Sequence, residues 1–184
     1  MQQQGAGWNR GIGDVNLALR RTLYASLETG GILSAGGEIG LPTGKESTGL
    51  GSGVVMFEPF VMAGQTIGSN GFVQTHAGVE VPSDRTKVKT EGYVRTALGW
   101  TFAQQKGFGR AWTPAVEVLW ARPNGEPSEW DVVPQMQVSL SKLQHVVMAG
   151  GVRLPVNSHG ERHPQVVTYL VWDWFDGGFF QYWK

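Results

Sequence analysis

Apolar and polar residues alternate with a period of two along most of this chain, and helical periodicity is almost absent. In 32–41, Leu33, Ala35, Gly37, Ile39 and Leu41 stand on one face, with Ser34, Gly36, Glu38 and Gly40 on the other. In 72–81, Val73, Thr75, Ala77, Val79 and Val81 oppose Gln74, His76, Gly78 and Glu80. The run 87–102 sets Val88, Val94, Leu98, Trp100 and Phe102 against Lys87, Lys89, Glu91, Tyr93 and Arg95. The pattern continues in 112–121, 130–141, 145–156 and 165–175. Two further segments alternate less cleanly: 14–25, and 54–64, where Glu58 interrupts an apolar run.

About nine strands joined by hairpin-length links predict an all-β antiparallel meander. A barrel or sandwich would turn the apolar face inward. A membrane barrel would turn it outward and line its lumen with polar groups. The polar face carries isolated acids and bases: Glu38, Glu58, Glu80, Glu91, Arg95, Glu117, Arg153 and Asp173. Facing one another across a lumen, they could pair. Aromatics gather at strand ends, at Trp100, Phe102, Trp112, Trp120, Trp130, Trp172 and Trp174. Rings of that kind suit a headgroup boundary, although the core of a sandwich would also take them. The expected fold is therefore an up-and-down transmembrane β-barrel forming one domain over 1–184.

Loop lengths set an expected orientation. The links near 42–53, 82–86, 122–129 and 157–164 are long or polar and belong outside; those near 26–31, 64–71, 103–111 and 141–145 belong on the periplasmic side. The first strand then runs inward. This predicts that an odd number of N-terminal strands, and a signal peptide, are missing from a barrel of about twelve strands.

Composition narrows the chemistry. The 184 residues have a net charge of zero, which gives no sign of a nucleic-acid partner. Cysteine is absent, so disulfides, thiolate metal sites and Cys nucleophiles are excluded. The stretch Gly40-Leu-Pro-Thr-Gly-Lys-Glu-Ser-Thr48 has the look of a phosphate-binding loop. However, Ile39 stands where that motif needs Gly, and Glu46 where it needs a hydroxyl. Gly49-Leu-Gly-Ser-Gly53 follows, and glycine costs about 1 kcal/mol per helical position. The segment is expected to be a loop between strands.

His159 and His163 have the i, i+4 spacing of a metal pair, but Gly160 and Pro164 mark a loop. Ser52 lies in the wrong register for a nucleophile elbow. Nothing fixes His76 or His145 beside a serine. No enzymatic activity, cofactor or metal is expected, and the oligomeric state is not readable.

"GIGDVNLALRR", "GGEIGLPTGKESTGLGSG", "FEPFVMAGQ" and "PQMQVSLSK" resemble the transporter-like outer-membrane barrels of the meta-pathway of phenol degradation. The resemblance spans roughly residues 11–175. It implies a bacterial outer-membrane location, a lipid environment and porin-like transport: passive or facilitated passage of small solutes, aromatic compounds among them. It assigns no catalytic residue. The alternatives are a non-transporting structural barrel, a partner in an envelope complex, and a soluble ligand-binding β-barrel.

Overall fold

The computed structural model describes residues 10–105, 108–141, 145–157 and 162–172. Among them ten strands form one antiparallel sheet: β1 (Val15–Ser26), β2 (Gly31–Leu41), β3 (Met56–Ile67), β4 (Gly71–Pro82), β5 (Glu91–Trp100), β6 (Phe102–Gln105), β7 (Phe108–Pro123), β8 (Glu129–Ser139), β9 (Val146–Pro155) and β10 (Gln165–Trp172). Sheet order follows chain order, except that β6 lies off the path and pairs with β7.

The boundaries depart from the alternation in three places. The predicted strand 87–102 begins only at Glu91, because 84–88 forms a turn. There Asp84 accepts bonds from the N–H and hydroxyl of Thr86, and Lys87 and Lys89 reach Glu46 and Glu126 in other loops. The same run is broken at Thr101, whose N–H turns to the Asn70 carbonyl. The segment 103–111, expected as a link, instead supplies part of β6 and the start of β7, a strand of 16 residues.

The sheet does not close. Ten strands less β6 leave nine on the path from β1 to β10, and among the described residues no pairing joins those two edges. In an antiparallel series of nine, the first and last strands run in the same direction. An antiparallel seam between them is impossible without inverting one. Alternation sets which face a side chain takes, but it carries no information about closure, so the expected transmembrane barrel is incorrect.

The expectations of a lipid partner and an outer-membrane location fall with it. An open sheet leaves backbone N–H and C=O groups unpaired along β1 and β10 among the described residues, and hydrocarbon does not tolerate such edges. Among the described residues no helix is long and apolar enough to cross a membrane, a fact that says nothing of strands.

The two faces differ sharply in burial. Among the described strand residues other than glycine, the buried ones lie on the polar face: Ser34, Phe60, Pro82, Tyr93, Ala111, Thr113, Ala115, Asp131, Val133, Ser139 and Ala149. The opposite face leaves Leu19, Phe57, Val61, Leu98, Met136 and Leu154 exposed. Trp100, Trp112 and Trp130 are also exposed there, so they form no sandwich core. Trp174 lies outside the described residues.

Small residues explain how one sheet buries side chains. On the polar face an aromatic of one strand lies over a glycine of the next. Phe60 covers Gly36, Tyr93 covers Gly78 and Phe72 covers Gly99. A Cβ on any of these glycines would stand less than 3 Å from the ring.

Candidate functional site

The polar face carries a row of carboxylates that only the register reveals. Glu38 pairs with Glu58, and Glu80 pairs with Glu91. Phe57↔Val81 and Phe60↔Gly78 bring Glu58 opposite Glu80. Four consecutive strands therefore hold an acid at one level of one face, although like charges placed directly opposite destabilise a sheet.

Beside this row sits a hydrogen-bonded aromatic group. Tyr93, 2% exposed, reaches across Gly78 and donates its hydroxyl proton to Glu58 Oε1. Glu58 as a carboxylate can only accept. The phenol oxygen is then left to accept from His76 Nε2, 2.9 Å away. Phe60 and Tyr93 each meet the His76 ring edge-on, with centroids 5.0 and 5.1 Å apart. The Arg95 guanidinium stacks 4.4 Å over Tyr93 and lies 3.8 Å from Glu80.

Electrostatics follow from this crowding. Burial, and then the charges of Glu58 and Glu91, hold the Glu80 carboxyl above its usual range despite Arg95. Glu91 is raised by burial and by Glu129. Glu117 is raised by burial, against the pull of Arg95 and Arg153. Burial and Arg95 push His76 down, which favours the neutral imidazole, while Glu58 opposes them. Burial, and then the bond to Glu58, raise the Tyr93 hydroxyl well above its ordinary value.

Glu38, Glu58 and Glu80 border a cavity of about 340 Å³, completed by Asp14, Asn16, Gly40, Ser52, Met56 and Val88. Ser52 comes to it from the loop that also contains Pro42-Thr-Gly-Lys45. That loop is closed by a residue that sequence reasoning passed over. Asp14 Oδ1 accepts from the Gly44 N–H at 2.9 Å, and Oδ2 accepts from the Ser52 N–H and hydroxyl at 2.7 and 2.8 Å. These bonds hold the Asp14 carboxyl below its usual range. The backbone donors that a phosphate would need are thus already bound to a carboxylate of the chain itself.

The other predicted site residues lie elsewhere on the sheet. Arg153 belongs to a second cluster, where its Nε donates to Asp131 Oδ2 at 2.8 Å. Arg162 donates to the same oxygen and lies 3.3 Å from Glu129. Neither Asp131 nor Arg162 was marked by the sequence. Asp131 is one of many polar-face residues, and Arg162 arrives from a loop. Glu117 stands opposite Ala97 and Val133 and feels the charge of one arginine from each group, Arg95 and Arg153. Asp173 and His159 lie outside the described residues, and His163 is exposed. Among the described residues no three His, Asp or Glu side chains are placed to hold a metal ion.

No family model matches the chain, and no curated protein is similar to it. The likeness to phenol-pathway barrels is therefore withdrawn. It rested on turn glycines and strand alternation, which any long antiparallel meander shares. Passage of solutes through a lumen is withdrawn as well, because the open sheet encloses none.

Proposed function

We propose that the chain is a non-catalytic binding domain whose polar face takes a small organic cation, with an ammonium group and an apolar body. The carrying observation is the link from Tyr93 to Glu58 across Gly78. It fixes one carboxylate at the border of a cavity, next to the rings of Phe60, His76 and Tyr93.

Three features support this. The cavity, at about 340 Å³, falls in the range of small-molecule sites, roughly 300–1,000 Å³. Glu38, Glu58 and Glu80 face it, and Arg95 alone forms an ion pair with any of the three among the described residues. A bound ammonium would supply the missing positive charge, and Met56 and Val88 in the lining would meet an apolar body. The polar groups are arranged to hold and not to react. The Tyr93 proton is committed to Glu58, and among the described residues the Tyr93 hydroxyl is the side-chain group hydrogen-bonded to His76.

Calorimetric titration with phenethylammonium and its neutral counterpart 2-phenylethanol tests this. The ammonium should bind and the alcohol should not. Glu58→Gln with Glu80→Gln should weaken binding by about tenfold or more, the scale of one charge-assisted bond. Equal affinity for both probes, or none for the ammonium, would overturn the assignment.

A further inference from the structure

Among the described residues no strand pairs with the outer edge of β1 or of β10, and the two edges are built differently. At its centre β1 carries Arg20 and Arg21, and a bulge falls between Thr22 and Tyr24. Charges and bulges are the devices by which edge strands are kept from pairing. In β10, Gln165-Val-Val-Thr-Tyr-Leu-Val-Trp172, there is no charge, proline or glycine, and its pairing with β9 runs without a break. Uncharged segments of this composition pair readily wherever they are exposed. Val166 is 80% exposed and Leu170 58%.

We propose that the β10 edge pairs with β10 of a second copy of this chain, antiparallel, about a two-fold axis through Thr168. The chain's own β1 is not the partner. With nine strands on the path, β1 and β10 point the same way, and β1 is the guarded edge. Two copies of β10 related by a two-fold are antiparallel by construction, and such an isologous contact closes on itself. Centred on Thr168, it sets Val166 opposite Leu170 of the partner on the apolar face, and Val167 opposite Tyr169 of the partner on the polar face. Gln165 to Val171 suffice, and the pairing extends both faces without a step. The occupant is chosen by edge chemistry: an uncharged, unbulged strand is complementary to itself, whereas β1 would bring two pairs of arginines together.

The absence of cysteine makes this directly measurable. Residues directly opposite in an antiparallel pair have Cα atoms about 4.5–5.5 Å apart, within disulfide reach. Under mild oxidation Thr168→Cys should give a band of twice the chain mass on non-reducing gels, and Ala18→Cys on β1 should not. Sedimentation velocity should show the unmodified chain as a dimer. Thr168→Lys should sediment as a monomer with an unchanged far-UV spectrum. A monomeric unmodified chain, a dimer whose Thr168→Cys form does not cross-link, or cross-linking through Ala18→Cys to the same extent would each overturn the proposal. Should Thr168→Lys fail to fold, the cysteine pair still decides the question.

Discussion

The Tyr93 hydroxyl lies 2.5 Å from the point where a Cβ on Gly78 would stand. This contact explains how an aromatic on β5 reaches a carboxylate on β3 across the whole width of β4. Gly78→Ala should move Tyr93 off Glu58, because the Pro59 carbonyl 2.9 Å away also blocks the methyl. The expected loss is about 1–3 kcal/mol, from crowding and from an unpaired buried hydroxyl. Urea denaturation measures it, and a change under 0.5 kcal/mol would show that the ring is not held there.

Glu80 should make the protein less stable at neutral pH than in acid. Its carboxyl is raised above 4.5, so the folded state holds its proton more tightly than the unfolded chain. Its favourable contribution is complete below the unfolded value and is lost as pH rises through the folded one. Glu80→Gln should therefore raise the urea midpoint at pH 7 relative to the unmodified chain, with the difference shrinking as pH falls toward 4.5 and gone below it. His76 slopes the other way: its lowered value makes stability fall as pH drops below 6.5. Subtracting the Glu80→Gln curve from that of the unmodified chain removes the His76 component. A lower midpoint for Glu80→Gln at pH 7 would mean that the Arg95 contact outweighs burial.

Asp131 should tolerate change poorly. It is 1% exposed, and two arginines converge on its Oδ2. Asp131→Asn leaves both cations without their shared anion. The cost should be about 2–3 kcal/mol, below the 3–5 of a fully buried pair because Arg153 is partly in solvent. Arg162→Ala should cost less, since Arg153 remains. The opposite ranking in chemical denaturation would place the weight on the loop.

Asp14 should act locally. Asp14→Ala removes the three bonds that fasten the loop at Gly44 and Ser52. Lys45 is exposed within it, so trypsin should cut after Lys45 faster in the variant. Far-UV circular dichroism should not change. Unaltered cleavage would show that the loop is held by other contacts.

These relationships were unequally legible in the sequence. The alternation around Val73, Val79, Leu98 and Trp100 was visible because a half-buried strand repeats every two residues. The carboxylate row was visible only as four unrelated acids: placing Glu38, Glu58, Glu80 and Glu91 at one level requires the register of three strand pairs, which turn lengths set. Arg162 was invisible because a loop residue meets Asp131 through tertiary folding alone. Lys87 and Lys89 misled, since they alternate like strand residues but turn to acids in neighbouring loops. Closure was beyond reach, because the same alternating pattern serves an open or a closed sheet.

The odd number of strands on the described path carries a geometric constraint. Adding or removing a whole hairpin changes the tally by two. An odd tally then stays odd, so both margins keep a common heading however many hairpins are added. Only an unpaired single-strand insertion, which must redirect everything downstream of it, would turn one margin around.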